Sequence, residues 1–318
     1  MHELAFGVTG VNHFLGTPLN PKWLDRIPGG SSSGSAALMA SGSCDFAIGA
    51  DTSGSVRMPA CCCGVYGMKP TFGRISRKGA IPKESSLDCI GPFARSAEML
   101  TRAMSLMDPT FEPLPARSEF VLKRIVTPPS PEMADAFDKA LAPLQMEEIG
   151  LPSFDDAYEA GLTVINAEVA ESFGDLARQS TALDETVRAR ILAAADTFSS
   201  DALKAAETVR SALRAEIDAA FETADALVLP TMPVVPPTLA DATDMRALIP
   251  LTAYLRPFNL SGHPAITIPI TTANGLPAGI QIVGRMGGDE ALCAVAEGLA
   301  RILVSETQAQ AEDNGNGQ

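Results

Sequence analysis

Short apolar runs bounded by proline or glycine lie at both ends of the 318-residue chain, and a long stretch with helical periodicity separates them. Toward the C terminus the runs are ALVLPTMPVV, AITIPIT and AGIQIVG, and CDFAIGAD near the N terminus has the same character. Runs of this length and composition are typical of buried β-strands. The pattern predicts an α/β fold class, in which distant segments assemble one mixed β-sheet core flanked by helices.

The middle of the chain is rich in alanine, glutamate and aspartate, and its apolar spacing predicts helices. One helix is expected over residues 155–178, and residues 183–222 are expected to form two helices that meet near Ser199–Ser200. An earlier helix should begin where Ser130 can act as a cap and Pro131 can occupy the first helical position. Further helices are predicted in AALMASG, AEMLTRAMSLM, GDEALCAVAEGLARIL and in MPACCCGVYGMKPT, where the helix should stop near Gly64–Gly67.

One domain is predicted over residues 1–305, because strands from both ends are expected in the same sheet. The remaining segment is polar, lacks apolar periodicity and is predicted to be disordered. The predicted parts are a core over 1–107, a variable helical region over 108–222, C-terminal core strands and a helix over 223–305, and the tail over 306–318.

The composition narrows the range of partners. A formal net charge of −14 makes the chain repel phosphate backbones and anionic lipids, so neither nucleic acid nor a membrane surface is an expected partner. The start, MHELAFGVTG, has neither the positive cluster nor the apolar segment of a signal peptide, and no apolar run reaches the length of a membrane span. These features predict a cytoplasmic protein.

Cysteine and histidine usage argues against a metal or a disulfide framework. Three of the six cysteines are consecutive, no CxxC pair occurs, and the simplest interpretation of the thiols is small buried side chains. The three histidines have no partner at metal-ligand spacing. We therefore expect no metal site and no cofactor.

Two loops rich in serine and glycine carry the strongest functional indication. GGSSSGSA begins at Gly29 and DTSGS begins at Asp51, but neither fits a P-loop or a dinucleotide-binding fingerprint. In the second loop, the backbone amides of residues 52–55 are able to converge on a developing oxyanion. A serine hydroxyl is a weak nucleophile until a base removes its proton, and a histidine or a neutral lysine are the usual bases.

The loops and the residues after them resemble the amidase signature, with the approximate pattern GGSSxGSxAxxAxG followed by GxDxxGSxRxPAxxxGxxGxKPT. This chain matches it from Gly29 to Ala36, from Gly49 to Ala60, and again through Gly64, Gly67 and Lys69-Pro70-Thr71. The segment SLDCIGPFARSAEML also looks like the part of that family after the signature. Three further segments look like the family's C-terminal strands: DALVLPTMPVVPP, RPFNLSGHPAITIPI and GLPAGIQIVGR. The resemblance covers both ends of the chain and leaves the middle divergent.

The resemblance implies a catalytic role for two serines. Ser55 corresponds to the nucleophile, and Ser31, which follows a non-proline cis peptide after Gly30, corresponds to the serine that relays its proton. The implied oxyanion hole consists of the amides of Thr52, Ser53, Gly54 and Ser55, and the implied supporting residues are Gly30, Ser32, Asp51 and Arg57.

The chain departs from the family pattern in two ways. Ser53 stands where glycine is common, although its amide is retained. The family's lysine base lies further upstream of the first serine loop than the thirty residues available here, so we expect a truncated chain without that base. Lys69 matches a signature position outside the catalytic triad and is interpreted as structural. Truncation would leave apolar surface exposed and favour self-association, for example as a homodimer.

The expected activity is hydrolysis of a small-molecule carboxamide through an acyl-enzyme on Ser55. Two alternatives remain open. The first is a non-catalytic, truncated amidase-like protein, and the second is the glutamine-hydrolysing subunit of an amidotransferase, which shares the same signature.

Overall fold

The computed structural model describes residues 1–315, without the side chains of residues 245–246 and 306–315. Eight strands form one sheet in the order β1-β3-β2-β7-β8-β6-β4-β5. All neighbours are antiparallel except β4, which runs parallel to both β5 and β6. The strands are β1 (Phe46–Asp51), β2 (Tyr66–Lys69), β3 (Cys89–Ala94), β4 (Leu122–Ile125), β5 (Glu147–Ile149), β6 (Ala226–Pro230), β7 (Ala265–Thr271) and β8 (Pro277–Val283).

The two ends of the chain meet between β2 and β7. Gly67 lies opposite Thr267, and Lys69 lies opposite Ala265, so N-terminal and C-terminal strands are hydrogen-bonded neighbours in the sheet. The prediction of a mixed sheet built from distant segments and flanked by helices is therefore confirmed. Among the described residues, no helix is both long and apolar enough to cross a membrane.

The helices agree closely with the predicted ones. The break predicted near Ser199–Ser200 is present, with Ser199 capping the second helix through a hydrogen bond from the amide of Ala202. The helices are α1 (Ser33–Ala40), α2 (Arg57–Cys63), α3 (Ala97–Met107), α4 (Pro131–Leu141), α5 (Phe154–Gln179), α6 (Glu185–Asp196), α7 (Ser200–Ala220), α8 (Met245–Leu248), α9 (Arg256–Ser261) and α10 (Asp289–Gly315).

Several elements differ from the predictions. Helix α2 ends at Cys63, next to the predicted stop near Gly64–Gly67, because Gly64 adopts a left-handed conformation, but strand β2, which follows it, was not predicted. Strand β3 and helices α8 and α9 were not predicted, and α9 occupies the start of a segment that was expected to resemble a strand. Strands β4 and β5 were not predicted either, since they are three or four residues long and carry charged side chains. Helix α10 extends to Gly315, so residues 306–315 of the predicted disordered tail are helical, and residues 316–318 lie outside the described residues.

Helices cover both faces of the sheet. Along β6, Ala226 and Val228 pack into a core shared with α3, α4 and α10, whereas Leu227 and Leu229 pack into a core shared with α5, α7 and α9. This alternation explains why β6 is a continuous apolar run: a strand buried on both faces has no solvent-facing position for a polar residue.

One groove near the N terminus is lined by strongly exposed apolar side chains. Met1, Phe14, Leu15 and Ile81 are 55%, 86%, 77% and 81% exposed, and all four line this groove of about 400 Å³. Contiguous apolar surface of this kind favours association.

We expect the protein to self-associate through this groove. The double substitution Phe14→Ser and Leu15→Ser should shift the weight-average mass from light scattering toward that of the monomer, and should leave the melting temperature almost unchanged because both side chains are exposed. Leu106→Ser is the control, since Leu106 is 64% exposed on α3 and does not line the groove. Equal masses for the wild type and the double variant would exclude the groove as the contact.

A buried histidine makes folding stability depend on pH. His263 is fully buried, with Nδ1 3.1 Å from Ser261 Oγ and Nε2 3.2 Å from Asp218 Oδ1. Burial lowers the pKa of His263 to about 4. Its ordinary value is near 6.5, so the unfolded chain binds a proton at a pH where the folded chain does not.

The free energy of unfolding should therefore decrease as the pH falls from about 6.5 to about 4, by roughly 3 kcal/mol from His263 alone. His263→Gln should show a smaller decrease than the wild type over this range in urea titrations. Parallel pH profiles for the two proteins would contradict the assignment.

Candidate active site

The two serine loops lie against each other. The backbone amide of Ser32 donates to the carbonyl of Ser55 at 3.4 Å, and the Ser32 hydroxyl lies 3.3 Å from both the amide and the carbonyl of Ala50 in β1. The peptide between Gly30 and Ser31 is cis, as the resemblance implied. Ser32 thus joins the first loop to the strand from which the second loop departs.

Ser31 and Ser55 are both largely buried, with 1% and 9% of their surface exposed. Within the described chain, neither hydroxyl forms a hydrogen bond. Ser55 lies two residues before α2 and lines a cavity, whereas Ser31 lies two residues before α1. Neither hydroxyl is therefore committed to a structural contact, and the Ser55 hydroxyl is available to a molecule in the cavity.

One of the four amides expected in the oxyanion hole has another acceptor. The amide of Gly54 donates to Asp51 Oδ1 at 2.9 Å, so it is not available to a substrate in this structure. Thr52, Ser53 and Ser55 have amides without a hydrogen bond to any described residue. Gly54 has φ +104°, and a Cβ there would lie 2.6 Å from the Leu255 side chain, so the turn accepts only glycine. Three amides, not four, are free.

A buried ion pair shapes the second loop. The Asp51 carboxylate accepts hydrogen bonds from the amides of Gly54, Val56 and Arg57 and from the Arg57 guanidinium, whose Nη2 lies 2.8 Å from Oδ1. Burial would raise the pKa of Asp51, but the charge and hydrogen bonds of Arg57, together with Asn259, hold it well below its usual range. The two supporting residues expected from the signature therefore form one rigid unit.

C-terminal residues complete this unit, and sequence reasoning missed them. Arg57 donates to Gln281 Oε1 at 2.7 Å, to Asn259 Oδ1 at 2.6 Å and to the Leu255 carbonyl at 3.0 Å. Asn259 and Gln281 are isolated polar residues inside apolar segments, and both are buried. The sequence shows these isolated polar residues, but it does not show which charged side chain they would bind.

The cavity beside Ser55 has a volume of about 120 Å³ and is lined by both apolar and charged side chains. Helix α5 supplies much of the apolar wall, so the divergent middle of the chain contributes to the site. Four charged residues also line it and were not singled out from the sequence: Asp88, Glu168, Arg190 and Arg256. Asp88 accepts a hydrogen bond from Thr52 Oγ1 at 2.9 Å, which anchors the start of the second loop.

Three large apolar residues and one lysine differ in whether they line the cavity or lie in the core. Phe6 lines the cavity, whereas Met58 and Phe258 are fully buried in hydrophobic clusters. Lys69 is buried and donates to the Pro70 carbonyl at 3.0 Å. No described lysine forms a hydrogen bond with Ser31 or Ser55, and no described group of His, Cys, Asp or Glu is arranged to hold a metal.

Removing one partner of the Asp51–Arg57 pair should be severely destabilising. We expect Asp51→Asn to lower the free energy of unfolding by about 3–5 kcal/mol, because it leaves the Arg57 guanidinium buried without a counter-charge. The exposed pair between Arg124 and Asp138 provides the control, and Asp138→Asn should cost less than about 1 kcal/mol. Urea unfolding measures both; similar losses for the two variants would contradict the role of the buried pair.

Several known proteins are similar to this chain in sequence and in fold. The family model described as Amidase matches residues 1–157 and 121–293. The A subunit of a glutamyl-tRNA(Gln) amidotransferase from Halobacterium salinarum is 31% identical over 93% of this chain and 82% of its own length. The corresponding protein from Desulforamulus reducens is 34% identical over 93% of this chain and 71% of its own length.

A solved structure supports the same relationship. The crystal structure of an amidase superposes with a TM-score of 0.82 at 30% identity, covering 94% of this chain and 72% of the solved one. Its sheet and helices match the architecture described above. The chain therefore belongs to the Amidase family of enzymes, as its two serine loops predicted.

Proposed function

We propose that this chain hydrolyses the C–N bond of a small carboxamide, with Ser55 as the nucleophile. Ser55 Oγ forms a bond to the carbonyl carbon, its proton passes through Ser31, and the C–N bond breaks as the amine leaves with a proton. Water then cleaves the acyl ester, which releases the carboxylic acid and restores the Ser55 hydroxyl.

The contact between the two loops carries this proposal. The hydrogen bond from the Ser32 amide to the Ser55 carbonyl holds Ser31 and Ser55 in adjacent loops. Beside Ser55, the free amides of Thr52 and Ser53 supply donors for the negative charge that develops on the substrate oxygen. A cavity of about 120 Å³ favours a small acyl group over a long chain.

The identity of the proton acceptor governs the rate of acylation. A serine relay needs a base at its end, and the family resemblance implies a lysine that lies further upstream of the first loop than the thirty residues that precede Ser31 here. None of the lysines in the described chain occupies that place, so activity of these 318 residues alone is a direct test of whether another group accepts the proton.

The experiment is a release assay for ammonia with acetamide, butyramide, benzamide and glutamine. Ser55→Ala should reduce turnover by at least about a thousandfold and Ser31→Ala by at least about a hundredfold. Ser35→Ala is the matched control in the first loop, since its hydroxyl bonds to the Ile48 carbonyl, and it should retain wild-type rates. Undiminished turnover by Ser55→Ala would refute the mechanism, and an inactive wild type would favour a non-catalytic protein.

A second function is favoured by the relatives. Two matched proteins carry the name of the A subunit of a glutamyl-tRNA(Gln) amidotransferase and align over 93% of this chain. A chain with that role would release ammonia from glutamine in preference to the simple amides, and would copurify with a partner protein. The glutamine arm of the assay therefore separates the two functions.

A further inference from the structure

Arg256 is a buried cation beside the second serine loop. It begins α9, is 7% exposed and lines the same cavity as Ser53 and Ser55. Within the described chain, no carboxylate forms an ion pair with it. Burying a guanidinium without a counter-ion costs free energy, so hydrogen bonds to the surrounding groups must offset that cost.

Three hydrogen bonds and a ring fix the guanidinium. Its Nε donates to Ser53 Oγ at 2.9 Å, Nη1 donates to the Tyr158 carbonyl at 3.1 Å, and Nη2 donates to Thr252 Oγ1 at 3.0 Å. The guanidinium carbon lies 4.0 Å from the centroid of the Tyr158 ring. A planar cation held from three directions has little freedom to turn toward solvent.

Helix α5 is shaped to admit this side chain. A Cβ at Gly161 would lie 2.8 Å from Arg256 Cγ and 2.9 Å from Cδ. Any larger residue would displace the arginine stem from the helix surface. The approach of α5 to α9 is therefore compatible with Arg256 only because Gly161 has no side chain.

Ser53 is the link between this cation and the chemistry. It stands where the family pattern often has glycine, and its hydroxyl is the acceptor for Arg256 Nε. On the other side of the loop, Thr52 is bonded to Asp88. The free amides of Thr52 and Ser53 thus lie in a segment anchored at two successive side chains.

We propose that Arg256 is a positioning residue for the oxyanion loop, which it fixes through Ser53 while adding positive charge beside the free amides. The proposal rests on the proposed amide hydrolysis. The substrate carbonyl is neutral in the ground state and becomes negative in the tetrahedral intermediate, so a fixed cation favours the intermediate more than the bound substrate. Its effect should therefore fall on kcat more than on KM.

The test compares Arg256→Met, Arg256→Lys, Ser53→Ala and the double variant Ser53→Ala with Arg256→Met in the amide assay. Arg256→Met should lower kcat about a hundredfold and Ser53→Ala about tenfold, with KM changed less than about threefold. Arg256→Lys keeps the charge and should retain more activity than Arg256→Met. The kcat of the double variant should be no lower than that of Arg256→Met, because the Ser53 hydroxyl contributes only through its hydrogen bond with the arginine.

Two controls separate this role from folding. Arg124→Met removes an arginine that pairs with Asp138 at the surface, and it should leave kcat unchanged. Melting temperatures and near-ultraviolet circular dichroism should show that the Arg256 variants remain folded. A wild-type kcat in folded Arg256→Met, or a change confined to KM, would overturn the proposal.

A binding measurement keeps the proposal testable if the wild type shows no turnover. Propylboronic acid becomes a tetrahedral anion when a serine hydroxyl loses its proton to a base or to water and its oxygen bonds to boron. Calorimetric titration measures the affinity of the protein for this compound. The Arg256→Met variant should bind the boronic acid at least about tenfold more weakly than the wild type does. The two proteins should bind neutral butyramide equally well. Equal boronate affinities of the wild type and Arg256→Met would overturn the role of Arg256. No boronate binding by the wild type would instead overturn the proposed reactivity of Ser55, and with it the proposal that rests on that reactivity.

Discussion

The ion pair between Asp51 and Arg57 is the interaction on which the site depends. One carboxylate accepts three backbone amides and a bidentate guanidinium, and it thereby sets the turn that presents Ser55. The same carboxylate removes the Gly54 amide from the set that a substrate can use. A pair this deeply buried contributes little net stability over a well-packed apolar alternative, but it specifies one geometry for the loop.

The sheet explains how this pair finds its remaining partners. Pairing of β2 with β7 places the C-terminal strands beside the serine loops, and α9 then delivers Asn259 to the Arg57 guanidinium while β8 delivers Gln281. On the cavity side, α5 supplies apolar wall residues and α9 supplies Arg256. The second serine loop is thus enclosed by elements from both ends of the chain and from its middle.

The sequence predicted the mixed sheet, the long helices and the adjacent serine loops, because apolar periodicity and a long gapless motif are local signals. It did not predict β2 and β3, nor β4 and β5, whose short charged sequences carry no strand pattern. Strand β4 pairs with β6, and β5 pairs with β4. It counted the Gly54 amide as a donor to substrate, since the competing acceptor, Asp51, is visible only in three dimensions. The contact between Ser53 and Arg256 joins residues far apart in the sequence, and no local pattern reports it.

The hydrogen-bond partners of Arg57 affect the order in which parts of the protein fold during synthesis. Its side chain bonds to residues 198, 202 and 224 positions later in the chain. During synthesis from the N terminus, both serine loops therefore emerge long before the groups that hold them in place. Contacts of such large sequence separation form late and slowly. The second serine loop should acquire its final shape only after β8 has been made, so a chain interrupted before that strand would carry the complete serine motif without the contacts that fix this loop.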